Sequence, residues 1–407
     1  MDEFSEENPR AVKNAEMAVG ILLPHHARHI ALAVERAGRG LVEFFPDRKS
    51  VIIGCHDTAD HSAQETFIGV KTEVPKISLS SAKAVKGKGD HLKHFLRKAF
   101  QLGARAIIVV DAGHLTSITP QRIRDLGNPL LRGFGFVAPL YLQHRFQGTI
   151  TSNLAYPLTR ALYGRRVRQP MGGDFGFSGN LARRYLEESL WGERISHAGM
   201  KICMTTLAIT HGFPICQSFM GGPQAENSHD PTAEDRAIFN DVVGTIFTMM
   251  NRHDTRWTAV MWSKPTAIYG FGRGETDSIP EVMIDTTRLY TQFRKGVETM
   301  ADPWRAVLTP EVFSKLIEVA HSKRDHFDFP TALWAKILFD YAVAFRGEKD
   351  NRDLLLESLK PLYDGRVFGY TNKVETMSSQ QADEYIEEQC LIFEETKPYL
   401  IRRWAES

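Results

Sequence analysis

Residues 104–111 read ARAIIVVD, a short run of apolar and β-branched residues that ends in a carboxylate. Two earlier stretches have the same character: AVGILLP at 18–24, which stops at a proline, and SVIIGCHD at 50–57. Apolar residues at helical spacing predict a helix over 29–45, and HLKHFLRKAFQLG at 91–103 predicts another that ends at a glycine. Short apolar strands that alternate with helices indicate a parallel sheet covered on both faces, which is an α/β, Rossmann-like fold.

The pattern changes after Pro231, where five segments carry helical periodicity and none has a strand pattern of comparable strength. At 407 residues the chain is also longer than one compact core usually allows. We therefore predict an α/β domain over residues 1–235 and a helical C-terminal domain over residues 236–407.

The composition is that of a globular protein, with 43% hydrophobic residues, 24% charged residues and a net charge of +1. This net charge gives no long-range attraction for nucleic acid or for an anionic membrane. We expect no membrane span, because no apolar run reaches roughly 20 residues, and the acidic, polar start lacks the features of a secretory signal. Four separated cysteines are typical of reduced core thiols, so we expect a cytoplasmic protein; they are Cys55, Cys203, Cys216 and Cys390.

The carboxylate of Asp111 ends a predicted strand at the edge where open α/β sheets bind ligands. An aspartate there can hold a metal ion or a ribose hydroxyl. It could equally cap the helix or turn that follows. His56 and Asp57 end the preceding strand in the same way.

A glycine-flanked lysine, Lys88, lies in VKGKGDHLK at 85–93, just before the helix predicted to begin at His91. Glycines let the backbone approach a ligand, and a helix N-terminus with a lysine favours phosphate oxygens. Glycine loops before helices are nevertheless common, so this signal is weak alone.

Two further loops could carry chemistry. RRVRQPMGGDFGFSGNLARR at 165–184 could present arginines and the backbone N–H groups of Gly172 and Gly173 to a phosphorylated or polyhydroxy substrate, with Asp174 beside them. The alternative is a solvated basic turn. NSHDP at 227–231 combines one histidine with one aspartate, which is typical of a turn. It would indicate a metal site only if the fold brings it close to Asp111.

Several ordered segments together resemble a known group of enzymes. They are GKGDHLKHFL, VVDAGHLTSITP, GTITSNLAYPLTRALYG, RVRQPMGGDFGFSGNLA, MTTLAITHGFPICQ, HDP, VVGTIF and FEETKPYLIRRW, which span residues from about 87 to 404. The chain resembles the bacterial GT-A glycosyltransferases related to family 2 enzymes, glucosyl-3-phosphoglycerate synthase and mannosylglycerate synthase. The resemblance implies a GT-A, nucleotide-diphospho-sugar-binding α/β domain and the transfer of a sugar from a nucleotide diphosphate to a hydroxyl.

The resemblance also implies site residues. The nucleotide sugar would contact Gly87, Lys88, Gly89, Asp111, Ala112, Gly113, Gly172 and Gly173. A divalent metal, Mg²⁺ or Mn²⁺, would be held by Asp111, His114 and His229. The catalytic residues would be Asp174 and Lys201. The partners would be a nucleotide sugar and a small hydroxyl-bearing acceptor, and the C-terminal helices could supply a homodimer surface.

The sequence departs from the family at its metal site. Relatives read DADL where this chain reads DAGHL, so Gly113 replaces the second aspartate and His114 is inserted beside it. Lys201 stands where relatives carry another aspartate. Loss of these oxygen ligands favours a rearranged or metal-independent transferase. The alternative is a catalytically inactive relative that acts as a nucleotide-sugar sensor or binding partner.

Overall fold

The computed structural model describes residues 4–22, 27–57, 61–81, 88–111, 118–188, 197–222, 230–270 and 281–407. The chain divides into two compact units whose segments alternate along the sequence. The first unit takes Met1–Leu142, Met171–Glu226 and Thr266–Ser278, and the second takes Gln143–Pro170, Asn227–Pro265 and Ile279–Ser407. The predicted domains, residues 1–235 and 236–407, are each continuous in sequence, whereas each observed unit combines three segments. Residues 143–170, for example, group with the C-terminal helices.

A mixed sheet of nine strands, counted over the described residues, forms the centre of the first unit. The strands are β1 (Phe4–Glu7), β2 (Met17–Leu22), β3 (Ser50–Asp57), β4 (Lys76–Ser81), β5 (Ala106–Asp111), β6 (Phe136–Leu140), β7 (Phe175–Ser178), β8 (Ile215–Phe219) and β9 (Ala267–Tyr269). Their order is β1-β4-β3-β2-β5-β7-β6-β8-β9. β1 is antiparallel to β4, and β7 is antiparallel to β5 and β6, whereas the other pairs are parallel.

Helices cover the sheet of the first unit and build the second. Those of the first unit are α1 (Ala27–Phe44), α2 (His61–Gly69), α3 (Lys88–Gln101), α4 (Pro120–Leu131), α6 (Gly179–Glu187) and α7 (His197–Thr210). Those of the second are α5 (Tyr156–Tyr163), α8 (Pro231–Arg252), α9 (Asp254–Trp257), α10 (Thr286–Thr299), α11 (Ala301–Val307), α12 (Pro310–His321), α13 (Thr331–Gly347), α14 (Arg352–Val374) and α15 (Ser379–Ala405). A π-helical turn (Thr151–Ala155) precedes α5, and a short 3₁₀ helix (Arg324–His326) follows α12.

The core of the first unit explains why its strands are continuously apolar. Every residue of β2 is buried, and its odd-numbered side chains pack with those of α1 in one cluster. On the opposite face Phe95 of α3 lies over Gly20, where an added Cβ would come within 2.6 Å of the ring. With both faces of the strand covered, polar residues are excluded from it.

The predicted α/β class with a helical C-terminal region is confirmed. β3 has its predicted limits, and the five helical segments after Pro231 correspond to α8, α12, α13, α14 and α15. Two details were wrong: α3 begins at Lys88 and not at His91, and β9 lies in the region predicted to be wholly helical. The strand β9 forms because it pairs in parallel with β8 of the first unit.

The four cysteines are buried free thiols, as their spacing predicted. Burial raises the pKa of Cys216 to about 12, so this thiol stays protonated at neutral pH. Within the described ranges, we find no helix that combines the length and the apolar character needed to traverse a bilayer.

Candidate functional site

The strand order creates a switch point between β2 and β5. The chain adds β3 and then β4 on one side of β2, and β5 pairs with β2 on the other side. Open α/β sheets bind ligands beyond the carboxyl ends of the strands at such a point. Leu22, the last residue of β2, is the Cα partner of Asp111, the last residue of β5. The backbone of Asp111 therefore lies at the position where this topology favours a ligand.

The antiparallel strand β7 brings a second segment to the same edge of the sheet. Phe175, at the start of β7, pairs with Val109, so the residues just before it lie beside the carboxyl end of β5. One of them, Gly172, packs against β6 so closely that an added Cβ would come within 2.0 Å of Cγ of Pro139. The structure thus brings the predicted glycine loop to the edge that carries Asp111, and glycine is required for its close approach.

Asp174 is held at the end of this loop by a buried polar cluster. Its Oδ2 lies 3.3 Å from Nη1 of Arg122 and accepts a hydrogen bond from the hydroxyl of Tyr141 at 3.0 Å. The backbone N–H of Asp174 donates to the same tyrosine oxygen at 3.3 Å, and the guanidinium carbon of Arg122 lies 5.2 Å from the tyrosine ring centroid. The side chains of Asp174 and Arg122 are only 2% and 8% exposed. These contacts suit a residue that fixes the loop, and a direct catalytic role for Asp174 stays a prediction.

The electrostatics of this cluster follow from its burial. Burial raises the pKa of Tyr141 well above its ordinary value, and the negative charge of Asp174 raises it further. The tyrosine therefore remains a neutral hydrogen-bond donor to the carboxylate across the physiological range. The positive charge of Arg122 compensates for the buried carboxylate.

Two helices begin at the same edge of the sheet. α3 connects the carboxyl end of β4 to the amino end of β5, so its N-terminus, with Lys88 and Gly89 in the first turn, lies beside the strand ends. α7 leads through a short turn into β8, which is parallel to β6, and Lys201 lies near its N-terminus, where it is partly buried. Unpaired backbone N–H groups make the start of a helix favourable for anions.

Several predicted site residues fall outside the described part of the chain. Gly87, Ala112, Gly113, His114 and His229 are among them, and of Lys88 and Asp111 only the backbone is described. The described residues contain no group of three His, Cys, Asp or Glu side chains arranged to bind a metal ion. The predicted metal site therefore remains a prediction, since the side chains of its proposed ligands, Asp111, His114 and His229, lie outside the described part of the structure.

Other predicted candidates have structural partners. His56 is buried, and its Nε2 lies 2.9 Å from Oγ of Ser78, as expected for a core histidine. The arginines before the glycine loop belong to the second unit, where Arg168 donates to Asp383 at 2.8 Å. In the NSHDP segment, Asp230 is the N-cap of α8.

A separate cavity of about 600 Å³ lies at the opposite, amino edge of the sheet. It is lined by the C-terminal ends of α3 and α4 and by the turn before β8, including Phe100, Leu131, Phe134 and Phe213. Open α/β sheets bind ligands at the carboxyl edge, so this cavity does not lie where the topology favours a ligand site.

Sequence reasoning missed Arg122 and Tyr141. Tyr141 directly follows β6, and the apolar run FGFVAPLY at 134–141 after a glycine could have revealed that strand. Arg122 gives no such signal, because an arginine in the first turn of an amphipathic helix is usually exposed. Its burial is set by Asp174, which is 52 residues away in the sequence.

Comparison with protein-family models gives no match, and no curated protein matches the chain. Similar solved structures include the crystal structure of a mycobacterial protein, which is 20% identical, covers 59% of this chain and 76% of that chain, and has a TM-score of 0.44. They also include mannosyl-3-phosphoglycerate synthase from Rubrobacter xylanophilus, which is 14% identical, covers 59% of this chain and 75% of that chain, and has a TM-score of 0.41. At this level of similarity the comparisons do not assign the chemistry of the site, which must be inferred from the residues of this chain.

Proposed function

We propose that this chain is a glycosyltransferase that binds a nucleotide-diphosphate sugar at the carboxyl edge of its sheet and transfers the sugar to a hydroxyl acceptor. The register of β2, β5 and β7 is the observation that carries this proposal. It brings the strand end at Asp111 and the loop Gly172–Asp174 to one edge, next to the switch point. The order of the sequence motifs supports the same assignment.

The donor diphosphate needs positive charge around it, and two lysines and one helix terminus could supply this. Lys88 begins α3, whose N-terminal N–H groups favour phosphate oxygens. Lys201 lies near the start of α7, at the same edge. In the transfer, the bond between the anomeric carbon and the diphosphate oxygen breaks and its electron pair stays on the diphosphate. The acceptor oxygen bonds to that carbon, and the proton of the acceptor hydroxyl passes to the departing diphosphate or to solvent. Cationic groups near the departing diphosphate would stabilise the charge that develops on it.

The rigid Arg122–Tyr141–Asp174 cluster supports a positioning role for Asp174. Its carboxylate is compensated by Arg122 and accepts the hydroxyl hydrogen of Tyr141, so it holds the glycine loop in one conformation. A fixed loop can present its backbone N–H groups to the sugar or the diphosphate without reorganisation. We assign Asp174 this positioning role within the proposed transferase.

Titration calorimetry with UDP, GDP and ADP sugars, each with and without Mn²⁺, tests the proposal. At least one donor should bind, and Asp111→Ala should weaken that binding by more than about tenfold, which is about 1.4 kcal/mol. Asp302→Ala is a matched control, because this aspartate is 90% exposed on α11 of the second unit. A chain that binds none of these nucleotides, or an affinity unchanged in Asp111→Ala, would contradict the proposal.

A nucleotide-sugar sensor without transferase activity is the second candidate. The burial of Asp174 against Arg122 favours it, because a carboxylate engaged in this way is poorly suited to accept a proton from an acceptor hydroxyl. Slow hydrolysis of the bound donor would identify an enzyme. Tight binding with no hydrolysis and no transfer to glycerate, phosphoglycerate or simple sugars would instead identify a sensor.

A further inference from the structure

A loop of the second unit exposes two large apolar side chains next to each other. Met261 is 64% exposed and Trp262 is 59% exposed. The other tryptophans whose side chains are described are all buried, namely Trp257, Trp304, Trp334 and Trp404. Adjacent exposed residues of this size are uncommon on a soluble surface unless they bind something.

The backbone of this loop is firmly held. The ammonium group of Lys397 donates to the carbonyl oxygens of Trp257 at 2.6 Å and of Val260 at 2.7 Å. On the other side of the exposed pair, the N–H of Ser263 donates to Oε2 of Glu394 at 3.2 Å, and the N–H of Lys264 donates to a backbone carbonyl at 3.0 Å. Since both ends are fixed, the exposure of Met261 and Trp262 is a property of a well-ordered loop.

Gly164 lies directly beneath the loop and adopts φ of +67°. A Cβ added there would come within 2.8 Å of Cγ1 of Val260 and 3.3 Å of the carbonyl oxygen of Trp262. The close approach of these two backbone segments, which glycine allows, sets the position from which Trp262 projects.

Basic residues surround the exposed pair. Arg165 and Lys264 are exposed and form a backbone bridge, and Arg166 donates from Nε to Oγ of Ser263 at 3.2 Å. The two chain segments that meet here contain no acidic residue over 148–173 and 255–274. Two acidic residues lie beneath the loop: the buried Glu394, 2.6 Å from Nε of Arg160, and the partly exposed Glu387, and both pair with Arg160. The side of the tip formed by Arg165, Arg166 and Lys264 is therefore cationic.

We infer that the tip formed by Met261 and Trp262, with Arg165 and Lys264 beside it, docks on an anionic phospholipid surface. Trp and Met side chains can enter the boundary between headgroups and acyl chains, where an indole ring is favoured. Basic side chains at the same level complement lipid phosphates and acidic headgroups. This contact requires no spanning helix and is independent of the proposed transferase activity.

Vesicle flotation of the full chain tests this inference. The protein should float with vesicles of equimolar phosphatidylcholine and phosphatidylglycerol, and it should not float with phosphatidylcholine alone. The double variant M261S/W262A should weaken binding by about tenfold or more, because it removes the apolar contact. The double variant R165Q/K264Q should weaken binding by about fivefold for each charge removed.

Met283→Ser is the matched control, because Met283 is 80% exposed but is flanked in sequence by Glu281 and Asp285. It should bind vesicles like the native chain, and far-UV circular dichroism should give the same melting temperature for every variant. The inference would be overturned by no flotation of the native chain, by equal flotation with neutral vesicles, or by full binding of M261S/W262A. Self-association that depends on Trp262, seen by sedimentation velocity without vesicle binding, would assign the tip to a second copy and would also overturn it.

Discussion

Replacing Arg122 with methionine isolates the charge that holds Asp174. Methionine keeps much of the apolar volume of the arginine side chain but removes the guanidinium group. The carboxylate of Asp174, whose side chain is 2% exposed, then loses its buried ion-pair partner. The substitution also removes the contact between the guanidinium group of Arg122 and the ring of Tyr141, whose centroid lies 5.2 Å from the guanidinium carbon.

The expected cost follows from this burial. Removing one partner of a buried ion pair typically costs about 3–5 kcal/mol. The Arg122–Asp174 separation of 3.3 Å is long for a charge-assisted hydrogen bond, so the lower end of that range applies. We therefore expect Arg122→Met to lower the free energy of unfolding by about 3 kcal/mol at neutral pH. Adding Asp174→Asn should recover about 1–2 kcal/mol, because the buried negative charge that Arg122 compensated is then removed.

Urea unfolding gives the free energies, and native-state hydrogen exchange of the β7 amides reports the same change locally. Arg305→Met is the control, because Arg305 is 65% exposed and pairs with an aspartate that is 90% exposed. It should change the free energy by less than about 0.5 kcal/mol. A loss below about 1 kcal/mol in Arg122→Met, or additive effects of the two substitutions, would refute the idea that Arg122 compensates for a buried charge.

Three other perturbations follow from the structure. Gly172→Ala places a Cβ within 2.0 Å of Pro139, so it should destabilise the chain by about 1–3 kcal/mol in thermal unfolding, whereas Gly347→Ala, which meets no atom within 4 Å, should not. Burial raises the pKa of Asp364 from 3.8 to about 6, so the folded chain holds this proton where the unfolded chain has released it. Stability should therefore fall by about 3 kcal/mol as the pH rises from about 4 to about 6 and then level off, and Asp364→Asn should remove this slope from a pH series of urea titrations. Lys397→Met leaves the carbonyl oxygens of Trp257 and Val260 without their donor and should lower the free energy of unfolding by about 2–4 kcal/mol. An unchanged melting temperature would contradict the role of Lys397 in holding the loop that carries Met261 and Trp262.

Local sequence patterns predicted the elements whose apolar residues form a clear pattern within the segment itself. β3 matches SVIIGCHD at 50–57 because a central parallel strand admits only apolar side chains over most of its length. α15 was predicted because its apolar residues recur at helical spacing through Trp404. In both cases the information lies within the segment.

Elements that depend on distant partners escaped this reasoning. β7 has only four residues, FGFS, and it is a strand because β5 and β6 pair with it from both sides. β9 has three residues, two of them exposed, and it forms only against β8. Such short segments carry too few residues for a period to be read.

The candidate site shows the same contrast. Asp111 and the loop Gly172–Asp174 could be predicted because a strand end and a glycine pair are local features. The partners of Asp174 could not, since Tyr141 and Arg122 lie 33 and 52 residues away along the chain. Their meeting depends on the antiparallel insertion of β7 between β5 and β6.

A crystal structure of the chain with a bound nucleotide sugar would test the central claim most directly. The account predicts the diphosphate at the carboxyl edge of the sheet, within hydrogen-bond reach of the α3 N-terminus and beside Asp111 and the loop Gly172–Asp174. A nucleotide bound instead in the cavity at the amino edge, next to Phe100 and Leu131, would contradict it.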